Sequence, residues 1–535
     1  MKKFVAKHIK KAKRIYYTNY FRKYSSDSRR QWQMINQLLN RKPKSKANIT
    51  KLIDGEETVT KPLDIANKFN NFFCNVAQRL KDASGHLDDR GRPPESTLNT
   101  SRRSHAAMPH TECTVVEIEN IVNSLKNKAT SDLAIQPLKF VSKEIAPVIQ
   151  HLVSASLEQG IFPDLLKCAK VIPLHKAGSR SEVSNYRPIS LLSCFSKIYE
   201  KVMHKRLTHF LAENKTLFES QYGFRALHSC EHALLEAQNY LHSALDKKQI
   251  AILLLIDFSK AFDMVDHGIL LNKLEHYGVR GTLLAWFKSY LTGRQQYVNV
   301  NNVNSEKLDL KFSVPQGSIL GPVLFILYIN DLPFINNVAK YIFFADDANI
   351  IFTGNNFSEI QSKIDVFLAA IDKWVTLNGL KLNLKKTKYM VFTNRHDSGA
   401  SLNIRLNGVT IDRVDSERFL GVILESKLSW NLHISKLASK ISRNAGIIFK
   451  LKGLVPQNVL KTVYNSLIQS HLNYCSNIWG LGSKSSINRI FTAQKRLFVL
   501  QMPGSTTVFI ILKLANSPVT RKKSLQETIS LQSTI

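Results

Sequence analysis

The run Tyr341-Ile-Phe-Phe-Ala-Asp-Asp-Ala-Asn-Ile-Ile-Phe352 constrains this chain more than any other stretch. Two adjacent acids interrupt two apolar, strand-like segments. A strand–turn–strand unit therefore places Asp346 and Asp347 at a hairpin tip, open to water and cations. A second apolar run, Ala251-Ile-Leu-Leu-Leu-Ile256, ends on Asp257. Two strands of one sheet, each delivering a carboxylate at its end, make a site for divalent metal. Taken alone, Asp-Asp is ordinary turn chemistry. The equally apolar setting of Asp257 weighs against that plain reading.

Length and charge narrow the partners. A chain of 535 residues is expected to form two to four domains, and 44% apolar residues suffice for a sizeable core. The net charge of +33 is costly to concentrate in a compact fold without a compensating polyanion. Nucleic acid fits that role better than a membrane surface, since no lipidation motif stands out and no apolar run reaches the ~20 residues of a span. Six cysteines without a CxxC pair argue against a disulfide framework or zinc ribbon and fit a reducing compartment. Residues 1–30 are rich in Lys, Arg and Tyr. They read as a basic nucleic-acid-binding lead rather than a transit peptide, because the positive charge continues beyond transit-peptide length.

Periodicity divides the chain. Residues 1–110 read as a basic helical lead segment followed by a linker over 82–110, with helices at 29–40 and 63–80. Order resumes at Thr114-Val-Val-Glu117, a capping-box spacing that opens a helical extension over 111–153. Residues 154–424 alternate helix and strand signals, which predicts an α+β domain with helices packed behind a mixed or antiparallel sheet. Residues 425–504 turn helical and basic, with helices expected at 435–451, 456–479 and 486–500. Residues 505–535 form a tail that fits no element.

Several blocks occur in order: Ala169-Lys-Val-Ile-Pro-Leu-His-Lys-Ala-Gly178, Asn185-Tyr-Arg-Pro-Ile-Ser-Leu191, Glu219-Ser-Gln-Tyr-Gly-Phe-Arg225, Asp257-Phe-Ser-Lys-Ala-Phe-Asp-Met-Val-Asp-His267, Val314-Pro-Gln-Gly-Ser-Ile-Leu-Gly-Pro322, Phe344-Ala-Asp-Asp347, Leu380-Lys-Leu-Asn-Leu-Lys-Lys-Thr-Lys388 and Arg418-Phe-Leu-Gly-Val422. Together they resemble the reverse transcriptases of non-LTR, jockey-like (LINE-type) retrotransposons over most of residues 118–504. The resemblance implies a right-hand polymerase with fingers, palm and a helical C-terminal thumb. It implies an RNA template, a DNA primer or target, and deoxynucleoside triphosphates. It also implies two Mg²⁺ ions, with Mn²⁺ as a substitute, held by Asp257, Asp346, Asp347 and the backbone carbonyl of Phe258.

Other roles follow from the same resemblance. Phe262 would stand against the sugar and exclude a 2′-hydroxyl, although its spacing alone reads as a core aromatic. Gln316 and Gly317 would approach the incoming nucleotide, the plain alternative being an ordinary turn before a helix. Lys176 and Arg187 would hold the triphosphate, or, for Lys176, serve as a solvated surface charge. A lysine of the 385–388 run, nominally Lys388, would protonate the leaving pyrophosphate; an RNA-contacting surface fits that run equally well.

Some patterns carry less. His228-Ser-Cys-Glu-His232 mimics a metal cluster, yet on a helix its side chains diverge. His471 and Cys475, four apart on an expected helix, read as packing. The block Lys128-Ala-Thr-Ser-Asp-Leu-Ala-Ile135 is less Gly-rich than relatives. Nothing in residues 1–110 supplies the endonuclease that usually precedes such a polymerase, so a truncated copy acting in the nucleus or cytoplasm is expected. Two other readings stay open: a catalytically silent nucleic-acid-binding remnant, and an RNA-dependent RNA polymerase.

Overall fold

The computed structural model describes residues 1–41, 48–54, 57–82, 106–127, 130, 133–395 and 402–498. Most of the linker expected over 82–110, part of the 128–135 block and all of the 505–535 tail lie outside the described residues.

The apolar run at 250–256 becomes the middle strand of a five-stranded sheet. The order is Asp412–Arg413, Lys388–Phe392, Ile250–Ile256, Asp347–Gly354 and Lys340–Phe344. All pairings are antiparallel except the short parallel one between Lys388–Phe392 and Asp412–Arg413. The sheet is mixed, as the α+β expectation held. Its middle strand is apolar at every position because both faces are covered. Ile250, Ile252, Leu254 and Ile256 enter one core with Trp286, Tyr328 and Trp374. Ala251 and Leu253 enter a second core with Leu234, Trp430 and Trp479.

A second sheet carries Tyr186–Leu191, Cys168–His175, Arg294–Val300 and Val303–Asn304 in that order, with Leu308–Leu310 added to Arg294–Val300. Cys168–His175 pairs in parallel with Arg294–Val300 and antiparallel with Tyr186–Leu191. The helix Pro62–Asp82 packs on this sheet through Ile65, Phe69 and Phe73. Asn70 stitches it down, donating from Nδ2 to the Gln296 and Glu306 carbonyls at 3.3 and 2.8 Å.

Most expected helices form within a few residues of their predicted limits, including Cys194–Glu213, Phe357–Leu377 and Asn431–Leu451. Two differ for physical reasons. The continuous helix expected over 456–479 is broken into Gln457–Tyr464, a π turn at Asn465–Gln469, Ser470–Asn473 and Ser476–Trp479. Cys475 there adopts positive φ (50°), so it shares no helix with His471. At Thr114 only half of the capping box forms: its side chain accepts from the Glu117 N–H, while the Glu117 carboxylate turns to Arg206 at 3.1 Å. A charge-assisted pair outcompetes the neutral return bond.

The helix Gly321–Tyr328 is apolar all round and buried. Beneath it lies a buried ion pair, Lys273 Nζ to Asp331 Oδ1 at 2.7 Å. Lys273 also donates to the Tyr328 carbonyl at 2.5 Å and faces the Tyr328 and Trp374 rings. Burial draws the lysine pKa down while Asp331 opposes that shift. Removing one partner leaves a charge stranded in the core. Lys273→Met is therefore expected to cost about 3–5 kcal/mol, read as a lowered urea midpoint, whereas Lys273→Met combined with Asp331→Leu recovers most of the loss.

Candidate active site

Strand register builds this site. Ile256 pairs with Ala348, so the next antiparallel step sets Asp257 across from Asp347. Phe344 pairs with Asp347, which leaves Ala345 and Asp346 as a two-residue turn with Ala345 at φ 57°. The turn is braced from outside. Gln221 Oε1 accepts the N–H groups of Ala345 and Gly223, at 3.1 and 2.8 Å. The Tyr222 N–H donates to the Phe343 carbonyl at 2.8 Å. Gly223 lies so close that a Cβ there would strike the Ala345 backbone. Thus the Glu219–Arg225 block, which the sequence offered without a role, is the brace of the acid turn.

The other edge of Asp257 is held by the segment before the Lys388–Phe392 strand. Asn383 N–H donates to the Asp257 carbonyl and Ser259 N–H to the Lys381 carbonyl, both at 2.8 Å. Phe258 bridges Leu382 in this pairing, and its ring is buried edge-on to Trp374. Its own carbonyl therefore faces away from Leu382, toward the Asp347 edge.

The electrostatics are those of acids short of counter-charge. Crowding by surrounding protein, then the negative charges of Asp346 and Asp257, push the Asp347 carboxyl up to about 6, although its side chain still reaches solvent. Asp346 is raised by burial and by Asp257, while its own backbone N–H, Arg187 and Lys176 oppose the shift. Lys386 Nζ lies 3.6 Å from Asp257 Oδ2. Lys176 is held below the usual lysine range by crowding and by the positive charges of Arg187 and Lys386, with Asp257 pulling the other way. Lys176 and Arg187 thus lie within electrostatic range of the acids, at the end of one strand of the second sheet and the start of its neighbour.

The remaining predicted residues divide. Phe262 is half-buried, stacked on Phe325 with ring centres 4.5 Å apart and edge-on to Phe224. Gln316 donates from Nε2 to Asp263 Oδ1 at 2.7 Å, and its carbonyl accepts the Ser190 N–H at 2.9 Å. Gly317, at φ 136°, is pressed against the Ser190 carbonyl, where a Cβ would clash. The close approach expected of Gly317 is thus made to protein backbone. Lys388 sits two residues behind Asp257 in register, across from Leu255, and pairs with Glu417 at 2.8 Å. The structure brings Lys386 rather than Lys388 to the acids.

An open groove beside Asp257 and Asp347 is lined by Lys385, Lys386, Lys388, Glu417 and Arg418. The Arg418-Phe-Leu-Gly block gave no role from the sequence; in the fold it walls this groove. Among the described residues no three His, Cys, Asp or Glu side chains close into a metal cage. That includes the His228–His232 segment, where the helix begins only at Cys230. The three aspartates offer hard oxygen donors only. The raised proton affinity of Asp346 and Asp347 is what a hard divalent cation would relieve, with water and phosphate completing its shell.

One sheet gathers three aspartates at a corner, with Lys176 and Arg187 approaching from the second sheet. Residues 174–424 match the family model of reverse transcriptases (RNA-dependent DNA polymerases). The chain's relatives come from jockey-like, non-LTR retrotransposons, as the motif order implied. It is 28% identical over 410 residues to the probable RNA-directed DNA polymerase from transposon BS of Drosophila melanogaster, which covers 73% of this chain and 44% of that protein. It is 27% identical over 445 residues to the RNA-directed DNA polymerase from mobile element jockey of the same species, covering 79% and 47% respectively. The chain spans less than half the length of these relatives.

A raised carboxyl pKa means that the ionised form is disfavoured in the fold. Stability linked to Asp347 is present below the unfolded carboxyl pKa and is lost as pH rises through about 6. Asp347→Asn is therefore expected to raise the melting temperature of the metal-free protein at pH 7.5. That gain should shrink when the same comparison is made at pH 5.

Proposed function

We propose that this chain is an RNA-directed DNA polymerase that extends a primer 3′-hydroxyl on an RNA template. The observation that carries the reading is the register that sets Asp257 across from Asp347, with Asp346 in the adjoining turn. On this reading the central sheet is the palm, the second sheet belongs to the fingers, and the helices after residue 425 form the thumb. Asp257, Asp346 and Asp347, with the Phe258 carbonyl, would hold two Mg²⁺ ions. Bound there, the ions (or Mn²⁺ in their place) supply charge neutralisation for the attacking and leaving oxygens.

The chain's own groups do the rest. Lys176 and Arg187 reach across the cleft and bind the triphosphate, Arg187 as a fork and Lys176 as a point charge. Phe262, backed by Phe325, presents a fixed ring to the sugar and so selects deoxynucleotides. Lys386, the lysine nearest the acids, is better placed than Lys388 to give a proton to the departing pyrophosphate. Binding energy is spent on orientation of the reacting atoms.

Charge supports a nucleic-acid partner beyond the cleft. The helix Lys2–Lys23 carries nine Lys and Arg and no acid, and its first sixteen residues are almost wholly exposed. Its like charges at i and i+4, such as Lys3, Lys7 and Lys11, repel one another and favour a polyanion alongside. Among the described residues no helix is long and apolar enough to cross a membrane.

Primer extension on an RNA template with Mg²⁺ and deoxynucleotides tests the assignment. Asp346→Ala is expected to lower the rate at least about a hundredfold without loss of RNA binding. A protein that binds RNA but extends no primer would instead be a silent remnant. Phe262→Ala should admit ribonucleotides while leaving deoxynucleotide incorporation measurable. Preference for ribonucleotides in the unsubstituted protein would mark an RNA-dependent RNA polymerase.

A further inference from the structure

The segment 315–320 is suspended between two buried carboxylates. At its start, Gln316 Nε2 donates to Asp263 Oδ1 at 2.7 Å. At its end, the N–H groups of Ile319 and Leu320 donate to Glu200 Oε2 at 2.5 and 3.2 Å. Asp263 is 6% exposed and Glu200 fully buried. Between them the Gln316 carbonyl is bonded to Ser190 and Gly317 is packed on the same residue. The backbone of the segment is thus held at Gln316 and Gly317 by Ser190 and at Ile319 and Leu320 by Glu200. What is left free to choose is the orientation of the Gln316 amide.

Asp263 makes that choice. Burial lifts its carboxyl to about 6, with Lys260, Gln316 and Arg187 opposing, so it is ionised at neutral pH. An ionised carboxylate only accepts hydrogen bonds, whereas an amide carries donors on one side and an acceptor on the other. The NH₂ of Gln316 must therefore turn inward to Asp263, and its Oε1 is the atom left for the cleft. Asp263 also directly follows Phe262, so one turn of chain fixes both the ring and the amide.

We propose that Asp263 is a positioning residue of the polymerase reaction: it locks the Gln316 amide so that the loop meets the incoming nucleotide with an acceptor oxygen. The inference rests on the polymerase reading above. The nucleotide group that Gln316 receives is accordingly an O–H or N–H donor. Sequence spacing gave no sign of this, because the partner of Gln316 lies 53 positions away.

Steady-state primer extension by the full chain tests it, with the KM for deoxynucleotide and kcat measured separately. Asp263→Ala is expected to raise KM about tenfold, the size of a lost charge-assisted hydrogen bond, with a smaller change in kcat. With Gln316→Ala already present, Asp263→Ala should add less than about twofold, because both changes remove one device. Should Asp263→Ala fail to fold, a swapped pair replaces it. Gln316→Glu sets two carboxylates face to face and raises KM, and adding Asp263→Asn restores it by supplying the missing donor. An equal effect of Asp263→Ala in both backgrounds, an unchanged KM, or no restoration by the swap overturns the inference while the polymerase stands. An unsubstituted chain that extends no primer overturns the polymerase reading, and this inference with it.

Discussion

Seven consecutive residue pairs lock Ile250–Ile256 against Asp347–Gly354, and the rest of the site depends on that registration. Side chains alternate faces along a strand, so a slip of one residue would exchange the two cores. Ile350 and Phe352 would leave one core and Ile351 the other. Such a slip would also move Asp347 away from Asp257. The acids are therefore placed by hydrophobic burial far from themselves. Their mutual repulsion is tolerated because the apolar pairing behind them is strong enough to hold it.

The second sheet supplies the opposite charge. Lys176 and Arg187 project from a hairpin whose core contacts are made by Phe69, Val171 and Tyr186, so the cations are delivered by packing just as the acids are. Placing two charge sets on separate sheets leaves space between them. Had Lys176 and Arg187 paired directly with the aspartates, the cleft would be a filled salt-bridge network. Among the described residues only Lys386 makes a direct ionic contact with the acids, at 3.6 Å and with both side chains partly in solvent. A loose contact of that kind is readily given up to a ligand.

Much of this was legible in the chain. The hairpin that carries the two acids, the strand ending on Asp257 and the helices flanking them follow from local apolar pattern, which is a short-range signal; the turn itself is shifted by one residue, to Ala345 and Asp346, because Asp347 already pairs with Phe344. What escaped the sequence is long-range. Lys385, Lys386 and Lys388 look alike in a row, and it takes the contact of Lys386 with Asp257 and the pairing of Lys388 with Glu417 to distinguish them. The brace of Gln221 and Gly223 on Ala345 joins residues more than 120 positions apart. The break at Tyr474 and Cys475 carries no Pro or Gly to announce it. There the Tyr474 hydroxyl donates to the Leu420 carbonyl and the Trp479 indole N–H to the Tyr474 carbonyl, so tertiary bonds override the helical pattern.

The order of pairing in the central sheet has a consequence for biosynthesis. The Ile250–Ile256 strand leaves the ribosome with neither neighbour made, since both partners lie roughly a hundred or more residues downstream. During that interval seven apolar residues present two bare edges, a template for pairing between nascent chains. Until those partners are made, the strand depends on coverage from elsewhere to stay unpaired.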